Sequence, residues 1–560
     1  MTADPSTSAS FRYSWAARGD FNAFFGLMLD NIGVMILLAT LLSSVFGVPV
    51  EFILTRMIPG TALGVLFGDL IYTFMAFQLA KRKGRGDVTA MPLGLDTPST
   101  FGMVFLVLGP AFLNARQRGL EEWAAAEHIW HLGIALMLLS GVFKLACATL
   151  SGWIRRVVPR AGLLGSLAAI ALVLISFLPL LEIMEHPVAG LAATFLILTA
   201  LTARWILPRG LPGALGSLVV GCAAYYAVIL GAGALGYAAP GSTESALTTQ
   251  LAFRLPWPMP GFFDWIAQAA NLNEVLLYLP IALPLALATV VGGIDCAESA
   301  ATVGDDYPTG TIIGVEGAAT LIAGLFGGVI QSTPYIGHPA YKAMGGRAAY
   351  TLATALFVGG AGLLGYFAFI FQIIPKPAIF PILIFVGVEI TASSYQHIPR
   401  RHFPALALAC LPALAYLALI PANDVLAASG KSFAELPPNV QHTLQTLTVL
   451  SGGFIVTGLV WATALVHLID GRARSAAFTF LLAALLALFG VIHSPLPSGA
   501  IGTPWSIVAQ LAQQGRLETA WYQTPWHWAA GYALVAVMVL VLQRFGHAPG
   551  PDTPDEPKAI

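Results

Sequence analysis

The sequence predicts an all-α polytopic membrane protein, and three observations carry that prediction. Only 10% of the 560 residues are charged and 57% are hydrophobic, whereas a soluble domain carries about 25% charged residues. Apolar runs close to the roughly 20 residues that cross a hydrocarbon core as a helix recur from about Met28 to about Leu542. Glycine and proline are abundant, at 57 and 37, which suits a transporter or channel whose broken helices line a protein cavity. By length alone the chain would make roughly three or four soluble domains, but 27 basic and 28 acidic side chains are too few to solvate that many surfaces. The net charge of -1 argues against a nucleic-acid partner. No dinucleotide fingerprint, phosphate loop or H-E-x-x-H motif points to an enzyme, and no cofactor is expected.

In chain order, 1–22 is a polar tail without the basic start and cleavage site of a signal peptide. Apolar segments follow at 23–45, 58–79, 89–113, 130–150, 159–181, 187–206, 211–234, 275–303, 309–328, 334–346, 350–373, 377–394, 403–421, 448–469, 475–493 and 528–544, and 545–560 is again polar. Of these sixteen, 334–346 is too short to cross alone at about 1.5 Å per residue, and 89–113 is broken early by Pro92 and Pro98. Cys147, Cys222, Cys296 and Cys410 sit in or beside apolar segments at no metal-ligand spacing, so neither a disulfide nor a metal site is expected.

Charge gives sidedness. With the N-terminus inside, five basic clusters fall on one side: Lys81, Arg82, Lys83 and Arg85; Arg155, Arg156 and Arg160; Arg204 and Arg209; Arg400 and Arg401; Arg472 and Arg474. The tract 114–128 and the linkers 235–272, 422–447 and 494–527 fall on the other. The positive-inside rule then places both termini in the cytoplasm of a multi-pass plasma-membrane protein, of the bacterial inner-membrane type.

Two segments echo one another. TAMPLGLDTPSTFG starts at Thr89 and QSTPYIGHPAYKAMGG at Gln331, seven spans apart, so the second copy is inverted in the membrane. Paired Gly/Pro-interrupted spans point to a transporter's midplane site, although chance recurrence in so Gly/Pro-rich a chain explains the echo too. Pro92, Pro98, Pro334 and Pro339 are the expected helix breaks. Acids also lie inside apolar runs: Asp30 beside Asn31, Asp295 and Glu298 three residues apart on one helical face, and Glu316. A carboxylate at membrane depth is a functional candidate by default, and two close carboxylates need not both ionise. The alternative is that these acids cap or cross-link broken helices, or that Glu316 lies near the inner surface. Tyr335 and His338 offer a ring and a donor or acceptor at the second break, with a structural histidine as the other reading of His338.

The stretches Asp295-Cys296-Ala297-Glu298-Ser299-Ala300-Ala301-Thr302, Glu316 to Gly327, and Thr333 to Arg347 carry a resemblance. They resemble the eighth, ninth and tenth spans of the nucleobase–ascorbate transporter family (xanthine/uracil permease-like), most of all its azaguanine/hypoxanthine/adenine branch. The resemblance implies a seven-plus-seven inverted repeat with a core (23–150 and 275–373) and a gate (159–234 and 377–469), to which 475–544 adds two further helices. It also implies proton-coupled uptake of a purine or other nucleobase-like solute by an elevator-type movement, and homodimers. The family's eighth-span acidic ligand falls on Glu298, while its tenth-span acidic ligand falls on Gly337, which has no side chain. The expected substrate contacts are therefore Glu298, Ser299, Tyr335, Gly337 and His338, and the expected proton-coupling groups Glu298, Asp295 and Asp30. The competing function is a transporter or channel for an anion or other small organic acid on the same fold, which would favour a tenth-helix start without a carboxylate.

Sidedness is testable directly. Single cysteines at Lys83 and Ser429, probed with an impermeant thiol reagent on intact cells, should label at 429 and not at 83; the reverse pattern would invert the topology.

Overall fold

The computed structural model describes residues 13–157, 160–236, 251–335, 337–396, 398–497 and 499–545. Of the tails expected at 1–22 and 545–560, residues 1–12 and 546–560 lie outside the described residues, and the first helix begins inside the expected N-terminal tail, at Gly19. The main elements are α1 (Gly19–Val45), α2 (Val50–Lys83), β1 (Leu93–Leu95), α3 (Thr97–Gln117), α4 (Glu122–Val157), α5 (Leu164–Met184), α6 (Pro187–Thr202) and α7 (Gly213–Ala234). They continue with α8 (Ala269–Thr302), α9 (Thr309–Leu325), β2 (Ser332–Pro334), α10 (His338–Ala343), α11 (Ala349–Leu363), α12 (Phe367–Ile373) and α13 (Lys376–Gln396). The chain closes with α14 (Phe403–Ser429), α15 (Pro438–Ser451), α16 (Phe454–Ile469), α17 (Ala473–Leu488), α18 (Pro504–Gln513) and α19 (Pro525–Phe545).

The chain is thus an all-α polytopic membrane protein. Among the described residues, ten helices are long and apolar enough to cross a bilayer, or twelve if two bent pairs each count as a span, and three shorter apolar helices accompany them. The sixteen apolar segments read from the sequence therefore do not all become straight spans. Segment 350–373 is α11 plus α12, bent by 90°, and 448–469 falls within α15 plus α16, bent by 70°. Glycines explain both bends: Gly365 and Gly453 adopt positive φ (78° and 65°), which ends a right-handed helix.

The described chain folds as two compact units. The first comprises Met1–Ser151, Glu182–Val275 and Leu285–Leu383. Its centre is α2, which packs against α9 and α11. Gly60, Gly64 and Gly68 form a small-residue stripe at four-residue spacing, the device by which helices approach closely in membranes. A Cβ at Gly60 would collide with the Phe326 carbonyl and the Gly328 amide; one at Gly64 would stand 2.8 Å from the Ala323 Cβ; one at Gly68 would stand 2.7 Å from Leu93. One face of α2 is therefore shaped to α9, to the turn after it, and to β1.

The second unit comprises Gly152–Leu181, Leu276–Pro284 and Ile384–Ile560. Here α5, α14 and α16 pack mutually through small residues, with Gly165 against Ala409 and Ala462, and Gly458 against the Ala409 carbonyl. The helices expected at 475–493 and 528–544 are α17 and α19, which pack as a pair, with α17 also against α16. Trp461 Nε1 donates to Tyr532 Oη (2.6 Å), which also pairs with His493 Nε2 (2.7 Å), fastening α16, α19 and the loop after α17.

The stripe on α2 yields a prediction. Gly60→Ala should lower stability by roughly 1–3 kcal/mol, the cost of overpacking where backbone cannot retreat. Thermal unfolding in detergent would show it, with Gly86→Ala, where an added Cβ meets nothing within 4 Å, as the control.

Candidate functional site

The two broken spans meet. After α2 the chain turns into β1, and after α9 into β2; the strands pair antiparallel, with Leu93 opposite Pro334, Gly94 opposite Thr333 and Leu95 opposite Ser332. The pairing continues beyond both ends, where Tyr335 N–H donates to Pro92 O (2.9 Å) and Asp96 N–H to Gln331 O (2.8 Å). Each strand then opens a helix with proline in its second position: Pro98 after the Asp96 cap of α3, and Pro339 after the Gly337 cap of α10. Proline belongs in a first helical turn because it lacks an N–H to leave unsatisfied there. The Asp96 carboxylate accepts from Ser99 N–H (2.7 Å), completing the α3 cap.

A two-stranded sheet enclosed by apolar helices has two raw edges, and side chains of the surrounding helices satisfy them. On β1, Leu93 N–H donates to Asp69 Oδ1 on α2 (2.9 Å) and Leu95 N–H donates to Asn31 Oδ1 on α1 (3.0 Å). On β2, Lys144 Nζ of α4 donates to Ser332 O (3.0 Å), and Cys296 Sγ of α8 donates to Pro334 O (3.4 Å). Lys144 is itself paired with Glu316 of α9 at 2.9 Å, both side chains fully buried.

The expected site residues gather around this crossing to different degrees. Asp30 is buried on α1, and a Cβ at Gly94 would lie 3.7 Å from its Oδ2 and 3.7 Å from the Tyr335 ring, so Asp30 and Tyr335 flank β1 together. Asp30 Oδ1 has no hydrogen-bond partner among the described residues. Asp295, Glu298 and Ser299 are half-buried on α8, around the cysteine that bonds Pro334, and each has a partner within the protein. Gly337 caps α10 with no room for a side chain, since a Cβ would stand 2.6 Å from Tyr335 Cε1.

His338 points elsewhere. Its Nδ1 bonds the Ala90 carbonyl and its Nε2 the Asp305 carboxylate, both at 3.2 Å, and the ring is fully buried. Lys342 Nζ (2.6 Å) and Thr89 N–H (3.0 Å) also reach Asp305 Oδ2. Neither ring nitrogen is left for a ligand, so the structure places His338 in a latch between α10, the segment before β1 and the loop after α8. Burial disfavours the ionised Asp305 carboxylate, but hydrogen bonds from His338, Lys342 and Thr89 outweigh it and hold its pKa below the ordinary 3.8.

The sequence reading missed Lys144 and Asp69; for Glu316 it left a cross-link between broken helices open, and the structure pairs Glu316 with Lys144. The signal for Lys144 was available: it is the one lysine in the apolar run 130–150. What the run could not reveal is the partner, which lies 172 residues away on α9. A cavity of about 540 Å³ is lined by unit-two residues including Trp461, Phe480, Trp528 and Tyr532, and by none of the expected site residues.

No family model matches the chain, and no curated protein matches it either. Solved structures do. The transmembrane domain of a cyanobacterium bicarbonate transporter, BicA, is 16% identical with a TM-score of 0.44, over 72% of this chain and 96% of that one. SLC26A9 is 12% identical with a TM-score of 0.46, over 70% of this chain and 61% of that one. The murine Solute Carrier 26 family member A9 anion transporter, in the inward-facing state, is 15% identical with a TM-score of 0.42, over 84% and 68%. The resemblance to the nucleobase–ascorbate transporter family is corrected by these findings: no family model matches, and the structures that do match are of another kind. The motifs behind it are short and consist largely of small residues, glycine and proline.

The latch generates a prediction with a sign. Because the Asp305 pKa is depressed on folding, its stabilising contribution is present above the unfolded value and lost as pH falls through 3.8 and below. His338→Ala should cost roughly 1–3 kcal/mol of stability without changing the substrate KM, and Asp305→Asn should flatten the acid limb of a melting curve measured against pH.

Proposed function

We propose that the protein is a secondary transporter for a small anion or organic acid, taken up together with protons at the β1–β2 crossing. Carriage is assigned to the core (23–150 and 275–373), moving in elevator fashion against the gate (159–234 and 377–469), in a plasma-membrane homodimer with both termini cytoplasmic.

The observation that carries this reading is the start of α10. A nucleobase held between two acidic ligands needs the second one at Gly337, and a side chain there would run into Tyr335. His338, the neighbouring candidate, is committed to Ala90 and Asp305. A nucleobase would therefore bury an N–H edge without its acceptor, a loss on the order of 1–3 kcal/mol. An anion gains from the same feature, because one source of like-charge repulsion is missing. Asp30, Asp295 and Glu298 remain, and as ionised groups they would repel an anion. Protons taken up on these carboxylates cancel that repulsion, which ties anion binding to proton binding. Tyr335, beside Asp30 at Gly94, supplies a hydroxyl and a ring edge to the bound solute.

Thermal-shift screening of the purified protein against bicarbonate, sulfate, monocarboxylates, dicarboxylates, purines and pyrimidines tests the substrate class, since a ligand of the folded state raises apparent stability. Stabilisation by an anion, stronger at lower pH, is expected; stabilisation by nucleobases alone would overturn the reading. In proteoliposomes, Glu298→Gln should abolish uptake driven by a proton gradient, and full proton-driven uptake by that variant would remove Glu298 from the coupling.

A further inference from the structure

Lys144 has no assigned task in transport, and its surroundings are unusual for a lysine. Its ammonium lies 2.9 Å from Glu316 Oε1, 3.0 Å from Ser332 O and 3.4 Å from Thr320 Oγ1, with the side chain fully buried. Thr320 Oγ1 itself reaches Ser332 O at 3.5 Å. A carboxylate, a backbone carbonyl and a hydroxyl form the ligand set of a hard, small cation. More polar atoms lie next to it in sequence. Ser332 Oγ and both amide atoms of Gln331 are buried with no hydrogen-bond partner among the described residues, and buried polar side chains are rarely left so.

We propose that the Lys144 ammonium is a built-in cation occupying what is otherwise a sodium-sized site behind β2, so that this carrier works without an alkali cation. The proposal rests on reading the β1–β2 crossing as the transport site. A cation here serves two groups: Glu316 is buried with no other ion pair among the described residues, and the Ser332 carbonyl meets it at 3.0 Å, with the Thr320 hydroxyl as a second donor at 3.5 Å. A free ion would supply both only while bound, making the geometry of β2 depend on external sodium. A tethered ammonium supplies both permanently, leaving protons as the coupling ion.

The test is to evict the lysine. Lys144→Ala empties the site while keeping its oxygens, whereas Lys144→Met retains the bulk without the charge. Melting temperatures are measured in sodium, potassium and choline chloride at constant ionic strength. Lys144→Ala should gain a saturable stabilisation by sodium over choline of several degrees. Wild type, Lys144→Met and the double variant Lys144→Ala/Glu316→Ala should show none. A folded Lys144→Ala without sodium-specific stabilisation overturns the proposal. So does sodium-specific stabilisation or sodium-dependent uptake by the wild type, a measurement that holds even if the variants fail to fold. If no anion in the panel is transported yet Lys144→Ala acquires sodium sensitivity, the built-in cation stands and the substrate reading falls.

Discussion

The structure of the first unit depends on one constraint: two spans are interrupted, and the backbone groups released by each interruption must be satisfied away from water. Pairing β1 with β2 satisfies the inner edges of both strands. It leaves outer N–H and C=O groups that would each cost several kcal/mol in hydrocarbon. Four helices answer with one side chain each: Asn31, Asp69, Lys144 and Cys296. Polar residues at membrane depth are here the means by which non-helical backbone is tolerated at all.

That requirement propagates outward. Asp69 can reach Leu93 because Gly68 beside it lets the Leu93 side chain lie against α2. Lys144 can be buried only because Glu316 compensates it, and Glu316 lies on α9, whose close seat on α2 is set by Gly60 and Gly64. A buried ion pair of this kind adds little net stability, since desolvation offsets most of the attraction, but losing one partner is expensive, about 3–5 kcal/mol. Its value is geometric, because it fixes where β2 can sit.

The same arrangement shapes the chemistry of the site. Asn31, Asp69, Lys144, Glu316 and Cys296 are held by the scaffold, and His338 and Asp305 are spent on the latch. Asp30 and Tyr335 flank β1, the α8 acids lie on either side of Cys296, and the α10 start is occupied by a glycine crowded by an aromatic ring.

The sequence by itself determined the fold class, because low charge and recurring apolar runs near the thickness of a bilayer leave no soluble alternative. It also marked the interruptions around Pro92 and Pro98 and around Pro334 and Pro339, since proline acts on its own neighbours in the chain, and it singled out Asp30, Asp295, Glu298 and Glu316 as acids out of place in hydrocarbon. Bends at Gly365 and Gly453 escaped it, because a glycine within an apolar run reads the same whether its φ is negative or positive. The family was misread for a related reason: a short string of small residues encodes backbone geometry more than substrate. Only the tertiary structure decided which polar residues are spent on the scaffold. Lys144 pairs with Glu316 across 172 residues and His338 with Asp305 across 33, and no local pattern records a partner brought near by the folding of helices between.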